Sequence, residues 1–96
     1  MTKEDIIIFL QENKNKFLNK YKISNMALFG SYARGENRED SDIDIAIETP
    51  LSDYFLLYDL KEELEKQFHQ KVDLVRLREK MNQALKKRIQ QDGIYV

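Results

Sequence analysis

Cysteine is absent from the chain, which excludes a disulfide framework and any thiolate metal site. Net charge is nearly absent as well, since 16 basic and 17 acidic side chains leave a formal charge of -1. No global field draws such a chain to nucleic acid or to an anionic membrane, so stable polynucleotide binding is not expected. Long apolar runs are missing, and none approaches the ~18 residues of a membrane span. The opening Met1-Thr2-Lys3-Glu4-Asp5 is too acidic to begin a signal peptide. Repeats, low-complexity tracts and linkers are not found either. These absences predict a soluble, cytoplasmic protein without membrane contact. Residues 1–96 read as one domain with one core, a chain of this length burying about 60–65% of its unfolded surface.

What is present alternates between helical and strand periodicity. Thr2 and Asp5 approximate a capping box, and Ile6, Phe9, Leu10, Phe17 and Tyr21 recur at helical spacing behind them. They predict one first helix over about residues 3–20, with Lys14, Lys16, Lys20 and Lys22 on its solvated side. Met26-Ala27-Leu28-Phe29 reads as a buried strand stopped by Gly30, and Ser31 to Arg34 as one helical turn that Gly35 ends. A polar loop over 36–41 follows. From Asp42 to Glu48 the period is two, with Ile43, Ile45 and Ile47 on one face and Asp42, Asp44, Ala46 and Glu48 on the other.

Thr49-Pro50 breaks that strand. Ser52 or Asp53 can cap the next helix, whose stripe Leu57, Leu60, Leu64 and Phe68 runs to about residue 68. Lys71 to Val75 alternates again with Asp73 on the polar side. Met81, Leu85 and Ile89 mark a last helix over about 79–91, and Ile94-Tyr95-Val96 can add a closing strand after Gly93. His69 reads as a surface residue, and Lys86, Lys87 and Arg88 as helix-surface cations. The alternation predicts an α/β domain with helices packed on a small sheet, of direction left open by the pattern.

The chemistry concentrates between Phe29 and Ile47. Aspartates at i and i+2 of a strand share a face, with Cα atoms about 6.6 Å apart. The alternating isoleucines determine that face, because the reverse orientation would bury two carboxylates. Asp73 joins Asp42 and Asp44 if the two strands pair. Carboxylates so crowded raise one another's pKa unless a cation lies among them, and Mg²⁺ is the hard ion that prefers oxygen ligands. Gly30 at a strand end permits close backbone approach, while the Ser31 and Tyr32 amides at a helix start face an anion and the Ser31 hydroxyl can donate to it. Metal-holding carboxylates beside a phosphate-holding turn are what nucleotidyl transfer needs, with paired metals about 3.5–4 Å apart. Singly, each feature has a plainer explanation: a turn, a solvated strand edge, or an Arg34–Glu36 surface pair contributing about 0–1 kcal/mol. Their order and facing together point to chemistry.

Gly30-Ser31, ten intervening residues and Asp42-x-Asp44 resemble the signature of the polymerase-β-type nucleotidyltransferase superfamily. The fuller string Phe29-Gly30-Ser31-Tyr32-Ala33-Arg34-Gly35-Glu36 with Ser41-Asp42-Ile43-Asp44 resembles the minimal nucleotidyltransferase (MNT) family. The likeness extends to Val72-Asp73-Leu74-Val75 and to the final helix before Ile94-Tyr95. It implies the nucleotidyltransferase fold, a mixed sheet with helices behind it. It assigns Gly30 and Ser31 to the triphosphate of ATP, Asp42 and Asp44 to two Mg²⁺ ions, and Asp73 to a third metal-binding role that also helps deprotonate the attacking hydroxyl. Arg34 falls in the phosphate-binding string, either touching phosphate or bracing the Glu36 loop.

The family also implies a partner, a HEPN-domain toxin with a tyrosine that receives AMP and is silenced by it. Two other functions compete. A non-catalytic antitoxin would block its partner through exposed apolar residues among Tyr54, Phe55, Tyr58 and Tyr95, each expected in the core or half-buried. A transferase acting on a small molecule resembles this domain with an additional helical domain attached.

Overall fold

The computed structural model describes residues 1–96. Thr2 caps the first helix, α1 (Lys3–Glu12): its hydroxyl accepts from the Asp5 amide at 3.2 Å and the Asp5 carboxylate accepts from the Thr2 amide at 3.1 Å. The single helix expected over 3–20 is in fact two. Asn13, at φ −104° and ψ 8°, leaves helical geometry while its side-chain amide donates to the Phe9 carbonyl at 2.9 Å, and α2 (Lys14–Tyr21) starts afresh. A side-chain amide that takes over a backbone acceptor gives the chain an alternative to the helical ladder. Then come β1 (Asn25–Phe29), α3 (Gly30–Arg34), β2 (Ile43–Glu48), α4 (Tyr54–Phe68), β3 (Val72–Arg76), α5 (Gln83–Asp92) and β4 (Ile94–Tyr95). The expected start of the last helix at 79 shifts to Gln83, because the Asn82 side chain accepts from the Leu85 amide at 3.0 Å and caps it there.

The four strands form one mixed sheet in the order β3-β2-β1-β4, with β2 parallel to β3 and both β2 and β4 antiparallel to β1. Ile43, Ile45 and Ile47 are completely buried on one face, in a cluster with Ile6, Leu10, Phe17, Leu60, Leu64 and Val72 from α1, α2, α4 and β3. On the other face Ala27, Phe29 and Ala46 pack under Ile89 of α5. Ala46 therefore does not lie on a solvated polar face as its alternation with Asp44 implied. The apolar side of α5 covers it, while Asp44 is only half-buried and Asp73 is exposed.

Tyr54, Phe55, Tyr58 and Tyr95, expected in or near the core, are 79%, 81%, 51% and 52% exposed. The buried residues of α4 are Leu60, Leu64 and Phe68, a stripe that begins only after its first turn. In urea denaturation Ile45→Ala should lose about 2–5 kcal/mol of unfolding free energy, and Thr2→Ala about 1 kcal/mol. Equal losses would contradict these placements.

Candidate active site

β1 runs straight into α3 at Gly30, whose φ is +75°. A Cβ at that position would overlap the Asp44 carboxylate arriving from β2. Glycine is thus required twice, for a left-handed backbone and for the volume Asp44 occupies. The first amides of α3 have no intrahelical acceptor, and Ser31, half-buried, is the second residue of that helix. Buried Tyr32 and Ala33 anchor this short helix to the core. The Gln70 side-chain amide donates to the Tyr32 hydroxyl at 2.6 Å and to the Ser41 carbonyl at 3.2 Å, tying the 36–41 loop down just before Asp42.

Asp44 and Asp73 face each other in the parallel β2–β3 register, on strands about 4.8 Å apart. The Glu65 carboxylate accepts from the Val72 amide at 2.9 Å and so secures the entry to β3. Asp42 lies just before β2, on the exposed rim. Burial, then the neighbouring charges of Asp73 and Asp42, push the Asp44 carboxyl up to about 6, against the opposing influence of Arg88 and Arg34. Burial leads that shift, and the carboxylate crowding expected from the strand pattern adds to it.

A cavity of about 230 Å³ lies at this end of the sheet, lined by Phe29, Gly30, Ser31, Arg34, Asp44, Asp73, Leu85 and Arg88. Of the candidate residues, Gly30, Ser31, Arg34, Asp44 and Asp73 meet in it, whereas Asp42 contributes charge from the rim. A larger cavity of about 350 Å³ beside residues 77–81 contains none of them. Arg34 donates from Nε to Glu36 at 3.1 Å and from Nη1 to Asp92 at 2.7 Å, so it braces both the loop and α5. Arg88, read from the sequence as a helix-surface cation, is exposed as expected and also lines the cavity. Its position one residue before Ile89 was the available signal, but only the packing of α5 over Ala46 turns it toward the aspartates.

No three acidic or histidine side chains converge into a ready-made metal cage. Asp44 and Asp73, with Asp42 at the rim, instead form an open, oxygen-only donor set of the type that holds Mg²⁺ together with water and phosphate oxygens. Repulsion within the set is what a divalent cation relieves, so the residues fit the ion.

Residues 4–96 match the family described as Polymerase beta, Nucleotidyltransferase. The chain belongs to the polymerase-β nucleotidyltransferase family. An inferred protein adenylyltransferase of Methanocaldococcus jannaschii is 45% identical to this nucleotidyltransferase over 98 residues, spanning 99% of this chain and 98% of its own. Protein adenylyltransferase MntA of Thermococcus cleftensis is 30% identical over 97 residues, spanning 100% of this chain and 97% of its own. The solved structure of an inferred minimal nucleotidyltransferase is similar at TM-score 0.78 and 26% identity, over 98% of this chain and 95% of that one. A chain in the complex of the tri-AMPylated Shewanella oneidensis HEPN toxin with its MNT antitoxin is similar at TM-score 0.61 and 28% identity, over 88% of this chain and 69% of that one. The mixed sheet with helices on both faces is thus that of a minimal nucleotidyltransferase.

Two outcomes test the geometry without reference to catalysis. A carboxyl whose pKa rises from 3.8 to about 6 on folding favours the folded state below its unfolded pKa, and that contribution is lost as pH climbs through about 6. The shift corresponds to about 3 kcal/mol before solvent screening and about 1 kcal/mol after it. In metal-free buffer Asp44→Asn should therefore raise the melting temperature at pH 8 and leave it unchanged at pH 4; an equal gain at both would refute the electrostatic origin. Gly30→Ala should lower the melting temperature, and Gly30→Ala with Asp44→Gly should recover part of the loss because the overlap is removed.

Proposed function

We propose that this nucleotidyltransferase transfers AMP from ATP to a tyrosine hydroxyl of a HEPN-domain toxin and acts as its antitoxin, with residues 1–96 as a single catalytic domain. The observation that carries the reading is the meeting of Asp44 and Asp73 with the Gly30–Ser31 turn in one cavity. Support for the acceptor comes from relatives named as protein adenylyltransferases and from the similar chain found beside a tri-AMPylated HEPN toxin.

In this reading the first amides of α3 and the Ser31 hydroxyl bind the triphosphate. Asp42, Asp44 and Asp73 would hold Mg²⁺, which when bound neutralises the phosphates and favours the ionised form of the acceptor hydroxyl. Asp73, the more exposed of the strand pair, accepts the hydroxyl proton. The freed oxygen attacks the α-phosphorus, a new O–P bond forms, and the bond to pyrophosphate breaks. Tyrosine and ATP become AMP-tyrosine and pyrophosphate, with the proton passed from Asp73 to water. The exposed rim around Asp73 and Asp42 leaves one wall of the site to the acceptor protein.

The test is incubation of the full chain with α-labelled ATP, Mg²⁺ and the product of its genomic neighbour as the proposed toxin. Label should appear on toxin tyrosine, and Asp73→Asn should slow transfer by about 10²–10⁴-fold. Transfer should also fall as pH drops below about 6, where Asp44 is protonated, and added Mg²⁺ should move that limb to lower pH by competing with the proton. If no label transfers, and Asp42→Ala with Asp44→Ala still neutralises the toxin, the enzymatic reading fails.

One observation favours a second reading, in which the protein blocks its partner by binding. Tyr54, Phe55 and Tyr58 form an exposed aromatic group at the start of α4. Under that reading inhibition is stoichiometric and independent of ATP, and Phe55→Ala with Tyr58→Ala abolishes it.

A further inference from the structure

We infer that Arg88, outside every signature string, is the cationic side chain that joins Ser31 in receiving the phosphates of the bound nucleotide, and that Arg34, inside the string, is a positioning residue that holds α5 so that Arg88 faces them. The inference rests on reading the cavity as the nucleotide site. Two guanidinium groups line that cavity together with Gly30, Ser31, Asp44 and Asp73, and their circumstances differ.

Arg34 is committed. Its Nε donates to Glu36 at 3.1 Å and its Nη1 to Asp92 at 2.7 Å, and the Asp92 side chain is only 16% exposed. Turning Arg34 toward a ligand would leave a largely shielded carboxylate without its partner, which costs more than an exposed pair returns. The bond also joins α3, which carries Ser31, to the last residue of α5.

Arg88 is uncommitted. The four ion pairs of the molecule involve Lys16, Lys20 and Arg34 but not Arg88. It lines a cavity containing two carboxylates, yet pairs with neither. All five guanidinium donors are therefore available for a planar, bidentate grip on phosphate oxygens. Its helix is fixed by packing, since Leu85 and Ile89 sit against the Ala27, Phe29 and Ala46 cluster. The Arg34–Asp92 bond adds a second fixed point one turn beyond Arg88. A phosphate between Arg88 and a cation held by the aspartates would give alternating charges across the cavity, with neither protein group displaced.

Calorimetric titration of the full chain with Mg²⁺ and a non-hydrolysable ATP analogue tests this, with AMP as the comparison ligand. Arg88→Gln should weaken the analogue about 10–100-fold, the loss of one charged hydrogen-bonding pair, with a smaller change for AMP and partial retention in Arg88→Lys. Arg88 makes no ion pair, so the variant should stay folded, with only a small fall in melting temperature from the lost positive charge beside Asp44 and Asp73. Asp92→Asn decides between the arginines. If Arg34 acts through α5, Asp92→Asn weakens the analogue, and combining it with Arg88→Gln causes no further loss. If Arg34 is itself the phosphate ligand, Asp92→Asn frees it, affinity holds or rises, and Arg88→Gln has no effect; either result overturns the inference. Failure of the parent chain to bind the analogue would instead remove the reading of the cavity, whereas equal binding by parent and Arg88→Gln removes only the role of Arg88.

Discussion

Two carboxylates placed side by side on neighbouring strands repel, and much of this structure serves to keep Asp44 and Asp73 there. The parallel β2–β3 register sets them opposite each other. Three buried isoleucines hold β2 in the orientation that points Asp44 toward the cavity. The absence of a side chain at Gly30 leaves the volume that Asp44 fills. The raised pKa of Asp44 is the energetic trace of that arrangement. Carboxylates held this close carry their repulsion in the folded protein itself, so local stability is lower than an apolar pair would provide.

The supporting contacts converge on the same end of the sheet from parts distant in sequence. Gln70 links buried Tyr32 to the Ser41 carbonyl, Glu65 holds the entry to β3, and Arg34 ties α3 to α5 through Asp92. The Gln70 and Glu65 bonds are part-buried at the edge of the apolar core, where water competes less than at a free surface, whereas the Arg34–Asp92 bond is exposed. Together they hold the candidate residues in place without adding to the core. The one prominent group that lacks such support, Tyr54, Phe55 and Tyr58, projects from the first two turns of α4 into solvent. A macromolecular acceptor would find there an apolar surface close to β3, since Tyr54 and Tyr58 share a cavity with Asp73.

Local signals in the sequence determined most of the elements. The Thr2 and Asp53 caps, the glycine at 35 and the two-residue period of β2 each act over a few residues, so the chain states them directly. The same locality explains the misplacements. The periodicity of α1 and α2 is continuous in apolar spacing, and the break comes from one side-chain hydrogen bond at Asn13. The start of α5 was set by the Asn82 cap rather than by Met81. Both are competitions between side chain and backbone, which a hydrophobic pattern does not register.

For the candidate site, the sequence alone named the residues: glycine and serine at a strand end, aspartates on one strand face and a third on another strand. Only the tertiary structure decided how they meet. Strand order brought Asp73 beside Asp44 and left Asp42 on the rim. The packing of α5 covered Ala46, which alternation had assigned to the same open face as Asp44. It also turned Arg88 into the cavity and engaged Arg34 with Asp92. These facts depend on which helix lies over which strand, a long-range choice made by the fit of whole apolar faces, and no stretch of the chain encodes it locally.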